Sequence, residues 1–224
     1  MTAAPRSIAF IHTVTGLVPT FDALVRAELG GWQGFNMVDE SLLRATIRDG
    51  SPSPMTKRRL AALVNSAVDA KADAVVVTCS SLGEAVEVAR PFCPVPLFRI
   101  DEGMAIAAVA SARRIGVLAT LGSTLVPTGD LIRATAQRLD RTCIVTDRLA
   151  EGAFQILAAG DIARHDAMIA DHLRSLVHEV DLVVLAQASM ARALATVEHE
   201  LGGLPVLTSP ELGVRHIAAA LSQL

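Results

Sequence analysis

The chain repeats itself. Leu17-Val18-Pro19-Thr20 returns verbatim as Leu125-Val126-Pro127-Thr128, an offset of 108 residues. Residues 8–13 (IAFIHT) return as 115–120 (IGVLAT) at an offset of 107, and residues 73–79 (DAVVVTC) return as 181–187 (DLVVLAQ) at 108. Val95-Pro96-Leu97 returns as Leu204-Pro205-Val206 at 109. Chance likeness between apolar runs does not keep order and register in this way, so the pattern marks an internal duplication. A duplicated chain of 224 residues is expected to form two similar lobes of about 110 residues each.

Within each half, short β-branched runs alternate with helix-like stretches. The pattern predicts strands at residues 7–13, 35–39, 73–79 and 96–100, and again at 114–120, 143–147, 181–187 and 205–208. Helices are predicted over 20–29, 56–70, 129–139 and 162–178, with Pro19 and Pro127 read as helix starts. Hydrophobic residues make up 51% of the chain and aromatics only 3%. Its core must therefore be built from Ala, Val, Leu and Ile, which suits buried parallel strands covered by helices. The expected fold class is α/β: two similar lobes related by a pseudo-twofold duplication, each a parallel four-stranded sheet flanked by helices. The expected lobes are 1–103 with 209–224, and 104–208. Ligands of such sheets sit beyond the carboxyl ends of the strands. Those ends are predicted at Thr13, Asp39 and Cys79 in one lobe and Thr120, Asp147 and Gln187 in the other. The site is expected in a cleft between the lobes.

The balance of charge excludes several classes. Lys and Arg total 20 against 23 Asp and Glu, a formal charge of −3, so nothing basic is available for a nucleic-acid backbone. Lys57-Arg58-Arg59 reads as the solvated first turn of a helix. No apolar run approaches the roughly 18 residues of a membrane span, and residues 1–10 carry no long apolar leader core. An odd count of three cysteines fits a reducing cytoplasm better than a disulfide framework. Neither GxGxxG nor GxxxxGK[ST] occurs, so no dinucleotide or P-loop chemistry is expected.

The candidate catalytic group is Cys79, in VVVTCSSLGE, where a buried strand passes into a helix. Free N–H groups and partial positive charge at a helix start favour a thiolate, so a lowered pKa is expected. Ser80 and Ser81 follow as capping or anion-binding hydroxyls. Cys93 and Cys143 are expected to be packing residues. His165 and His172 share a helix face without a metal-ligand partner, and with His178, His199 and His216 they are assigned to the surface. No metal site is expected. His12 ends the first strand beside Thr13, at the predicted cleft, and is a candidate substrate contact. In the second half, Thr120, Ser123 and Thr124 lie in a glycine-containing loop suited to a carboxylate.

These features together resemble the aspartate/glutamate racemase superfamily, the cofactor-independent group that includes hydantoin racemases. The likeness is carried by VVVTCSSLG, IGVLATLGST, DLVVLAQASM and the closing VLTSPEL, and spans nearly the whole chain. It implies two lobes around a small carboxylate substrate, no cofactor, a homodimer, and one cysteine from each lobe flanking the reacting carbon. The first-lobe cysteine corresponds to Cys79, but its second-lobe counterpart is Gln187, with Ser189 nearby. A primary amide does not titrate in the useful range, so Gln187 is no acid or base. The resemblance thus implies proton transfer or isomerisation beside a carboxylate with Cys79 alone, and not two-thiol racemisation. Two alternatives stay open: a decarboxylase of a malonate-like diacid, and a non-catalytic carboxylate binder. Thr13, Ser80, Ser81, Thr120, Ser123, Thr124, Gln187 and Ser189 are the implied substrate contacts, and the resemblance makes His12 the candidate second acid or base.

Overall fold

Ala74-Val75-Val76-Val77 carries no polar side chain, and a run of β-branched residues favours a strand buried on both faces. The structure, a computed structural model that describes residues 5–223, builds eight strands and ten α-helices among the described residues, β3 being buried along its whole length. Residues 1–4, where no apolar leader is expected, lie outside the described residues. In chain order the elements are β1 (Arg6–His12), α1 (Val18–Glu28), β2 (Trp32–Val38), α2 (Glu40–Asp49), α3 (Pro54–Asp69), β3 (Ala74–Val77), α4 (Gly83–Ala89), β4 (Leu97–Arg99) and α5 (Glu102–Ser111). There follow β5 (Arg114–Ala119), α6 (Gly122–Arg138), β6 (Ile144–Leu149), α7 (Ala153–Ala158), α8 (Ile162–Leu176), β7 (Leu182–Leu185), α9 (Ala191–Val197), β8 (Val206–Thr208) and α10 (Ser209–Leu221).

The chain divides into two compact units. One runs to Gly103 and resumes at Pro210; the other is Met104–Ser209. Each holds one parallel four-stranded sheet, ordered β2-β1-β3-β4 in the first and β6-β5-β7-β8 in the second. The duplication extends to individual hydrogen bonds. Asp73 N–H donates to the Ser7 carbonyl at 2.7 Å and Asp181 N–H to the Arg114 carbonyl at 2.7 Å. Thr78 N–H donates to Ile11 at 3.0 Å, as Ala186 N–H does to Leu118 at 2.9 Å. Val75 and Val183 reach Pro96 and Pro205, both at 2.9 Å.

Side-chain alternation along the strands separates two cores in the first unit. Ala9, Ile11, Val75 and Val77 pack with Leu42, Leu60, Val64 and Val86 of α2, α3 and α4. Ile8, Phe10, Ala74 and Val76 pack on the opposite face with Phe21 and Val25 of α1 and Val214 and Ile217 of α10. The second unit repeats the first of these cores: Leu118, Val183 and Leu185 pack with Ile169, Leu173 and Ala193 of α8 and α9. Capping sets the helix ends. Asp39 accepts from Ser41 N–H at 3.0 Å to start α2, which stops at Gly50 in the left-handed region (φ 77°). Ser53 caps α3 through Thr56 N–H.

Four expectations need correction. β2 begins at Trp32, since pairing with Arg6 and Ser7 of β1 extends an edge strand through polar Gln33 and Gly34. β6 starts after Cys143 and continues to Leu149, so Asp147 lies within the strand, paired to Val117, and is not at its carboxyl end. Pro127 is inside α6, which begins at Gly122, whereas Pro19 does sit in the first turn of α1. The Leu121 carbonyl already accepts from Thr124 and Leu125 at 3.0 and 2.9 Å and starts α6 early. His165 is fully buried, its Nδ1 at 2.6 Å from Asp166, because it falls on the core face of α8 with Ile169 and Leu173.

Candidate active site

The same alternation decides which side chains meet at the carboxyl ends of the first sheet. Thr13 follows the parity of Ala9 and Ile11, and Cys79 follows that of Val75 and Val77. Register pairs Ile11 with Val77, so Thr13 and Cys79 come side by side. Cys79 leads into a single 3-10 turn, Ser80–Leu82, whose Leu82 N–H donates to the Cys79 carbonyl at 3.0 Å, and α4 continues from it. Burial is the largest influence on the thiol and raises its pKa. The Thr13 hydroxyl, the Ser81 and Leu82 N–H groups and the Ser81 hydroxyl oppose it by favouring the thiolate. Burial prevails. The expected lowering is thus corrected: at rest Cys79 is a protonated thiol facing donors that suit its anion. Ser80 and Ser81 are themselves buried.

His12 belongs to the other parity, with Ile8 and Phe10, and its ring lies 5.4 Å from that of Phe21 in the α1 core. It is fully buried. Both ring nitrogens are engaged, Nε2 with Asn36 Oδ1 at 2.8 Å and Nδ1 with Thr78 Oγ1 at 2.9 Å. Asn36 Nδ2 donates to Asp22 Oδ1 at 2.9 Å, which fixes the amide and leaves its oxygen to accept. The neutral imidazole therefore carries its proton on Nε2, and Nδ1 accepts from Thr78. The Thr78 hydroxyl also lies 3.2 Å from the Ile11 carbonyl, an alternative acceptor if Nδ1 is protonated. Burial is the main cause that holds the His12 pKa below its ordinary value, against the opposing effects of Asn36 and Asp22. Sequence reasoning missed Asp22, Asn36 and Thr78; position at a strand end drew attention to His12, while its parity pointed into the core.

In the second unit Thr120 and Gln187 hold the positions of Thr13 and Cys79, each two residues beyond the paired Leu118 and Leu185. Gln187 Oε1 accepts from Thr120 N–H at 2.7 Å, and Gln187 Nε2 donates to Thr120 Oγ1 at 2.7 Å. The amide is thus spent as a two-bond clamp between strand ends. It also leaves the Thr120 hydroxyl proton directed elsewhere, as a donor. Ser123, in the first turn of α6, is buried with no partner for its hydroxyl among the described residues, and Thr124 beside it is also buried. Ser189 is half-buried in the turn Ala188–Met190, at the place Ser81 takes after Cys79. Among the described residues no three His, Cys, Asp or Glu side chains group as a metal site, and no helix is long and apolar enough to cross a membrane.

Two parallel four-stranded sheets flanked by helices define a duplicated α/β protein. The Asp/Glu/hydantoin racemase family model matches residues 12–217, and the chain belongs to that family of racemase- and isomerase-like enzymes. A comparison with curated proteins finds no match. Among solved structures, glutamate racemase from Francisella tularensis subsp. tularensis, in complex with D-glutamate, superposes with a TM-score of 0.76 at 12% identity, covering 98% of this chain and 82% of that one. Allantoin racemase from Klebsiella pneumoniae gives 0.67 at 17% identity, covering 97% and 88%. Picrophilus torridus aspartate racemase gives 0.69 at 12%, covering 97% and 93%. At these identities the likeness concerns the fold.

Proposed function

We propose that this protein moves a proton at a carbon next to a carboxylate of a small acid, without a cofactor, and that Cys79 is its acid/base. The observation that carries this reading is the surrounding of one sulfur, protonated at rest yet faced by two hydroxyls and two N–H groups. When the thiol gives its proton to a planar enolate carbon, a C–H bond forms and the electron pair of the S–H bond stays on sulfur. The Thr13 and Ser81 hydroxyls and the Ser81 and Leu82 N–H groups then hold the thiolate without rearrangement. The reverse step removes the same proton from the same face. Thr120, with its hydroxyl proton freed by Gln187, and the unpartnered Ser123 hydroxyl are assigned to the substrate carboxylate. Ser80, Thr124 and Ser189 complete the polar set, and Gln187 is assigned to holding Thr120. NMR of candidate acids in D2O tests this: signal loss at the α-carbon is expected with the wild type and not with Cys79→Ser.

A second reading is favoured by the amide at Gln187 and the protonated state of Cys79. Loss of carbon dioxide from a malonate-like diacid leaves an enolate that needs one proton donor and no base. Carbon dioxide release from a panel of substituted malonates, absent in Cys79→Ser, separates this decarboxylase from an isomerase. The family likeness supports a homodimer, and the odd cysteine count supports a cytoplasmic address; sedimentation and fractionation test these.

A further inference from the structure

A cavity of about 570 Å³ lies between α2 and α3 in the first unit, in the size range of small-molecule sites. From α2 it is lined by Ser41, Arg44 and Arg48, spaced to share one helix face, and from the first turns of α3 by Ser53, Thr56 and Arg59. Three guanidinium groups on two facing helices make an anion-binding chemistry that the Cys79 reading does not use; the hydroxyls beside them are engaged within the wall, Ser41 donating to Asp39 and Ser53 paired with Thr56. Two of the arginines are anchored at their own carboxylates. Arg59 donates to Asp39 at 2.6 Å and to Ser41 Oγ at 2.8 Å, and Arg48 donates to Asp49 at 2.8 Å. Burial works against the Asp39 charge, but Ser41 and Arg59 together outweigh it and hold the carboxyl below its ordinary range. Arg44 makes no ion pair or hydrogen bond among the described residues, although it projects from the same wall. The cavity therefore has three cations set against two carboxylates, with one fork unmatched.

We propose that this cavity binds a phosphate group, with Arg44 as the residue that recognises it. Guanidinium forks from two sides suit a tetrahedral dianion, which offers oxygens in several directions, better than a planar carboxylate. The phosphate can be the free ion or the head of a small organic phosphate, for which the volume leaves room.

Titration calorimetry at constant ionic strength tests the site on the full chain, with inorganic phosphate, ribose 5-phosphate and malonate as probes. Saturable binding of at least one phosphate is expected in the wild type and, unchanged, in Cys79→Ser. Arg44→Ala is expected to weaken it at least tenfold and Arg44→Lys by less; Arg44 is exposed, so both variants keep the fold. Tighter binding of ribose 5-phosphate than of phosphate assigns an organic ligand, and the reverse order assigns the free ion. The proposal is overturned if neither phosphate saturates, if Arg44→Ala binds phosphate as the wild type does, or if Arg44→Ala weakens malonate as much as it weakens phosphate.

Discussion

Cys79 and Gln187 occupy one register position in two copies of one unit, and each is bonded to the threonine across from it. Their chemistry diverges because a thiol ionises and an amide does not. Alkylation of Cys79 followed against pH is expected to turn on above the range of an ordinary thiol, since burial governs it. Thr13→Val removes one donor from the thiolate and is expected to slow alkylation at fixed pH by roughly ten- to a hundredfold, a bond to a charged acceptor contributing about 1.5–3 kcal/mol. An unchanged rate would remove Thr13 from the sulfur's surroundings. Burial displaces the His12 titration to lower pH. Its folded pKa lies below the ordinary 6.5, so the unfolded chain binds the proton more readily. The stability it contributes is whole above about pH 6.5 and is lost as pH falls toward the folded value. Ring-nitrogen NMR is expected to show the Nε2–H tautomer and titration below 6.5; an Nδ1–H tautomer would break the assigned chain from Asp22 to Thr78.

At the scale of elements, close approach and strand-end pairing carry predictions of their own. A Cβ on Gly213 of α10 would fall on the Ile100 carbonyl oxygen, a backbone atom just past β4. Gly213→Ala is expected to destabilise the fold by about 1–3 kcal/mol in denaturant unfolding, and a neutral result would mean that α10 moves freely on the sheet. Gln187→Leu strips the clamp from Thr120 and is expected to cost about 1–2 kcal/mol; a stability equal to the wild type would show the two bonds to be dispensable. Much of this level was legible beforehand. Alternation puts His12 and Thr13 on opposite faces of one strand, and Thr78 and Cys79 on opposite faces of another; the pairing of β1 with β3 decides which of them meet. The edge strand β2 was harder, because Gln33 and Gly34 hide a pairing that only β1 supplies. Pro127 misled for a local reason. Gly16, a weak helix former, stands where the second copy has Thr124, so the first copy opens with a 3-10 turn and the second with a full helix.

The whole molecule shows its duplication in sequence and in hydrogen bonds alike, and the family match spans nearly all of it. The two-sheet architecture was legible because repeated strand signals kept register over four segments. Non-local polar partners were not, since Gln187 with Thr120 and Asn36 with His12 depend on strands meeting in space. The resemblance read from the sequence implies a cysteine from each copy, yet the second copy holds an amide tied to its own threonine. In the proposed reading, one titrating thiol acts on one face of a carbon. The direct measurement is stereochemical: a resolved α-substituted acid turned over in D2O, with label and configuration read together for the wild type and Cys79→Ser. Deuterium is expected to enter with a single configuration in the wild type, and Cys79→Ser is expected to lose roughly 10²–10⁴ in rate. A labelled racemate from the wild type, or undiminished exchange in Cys79→Ser, would contradict a mechanism built on Cys79 alone.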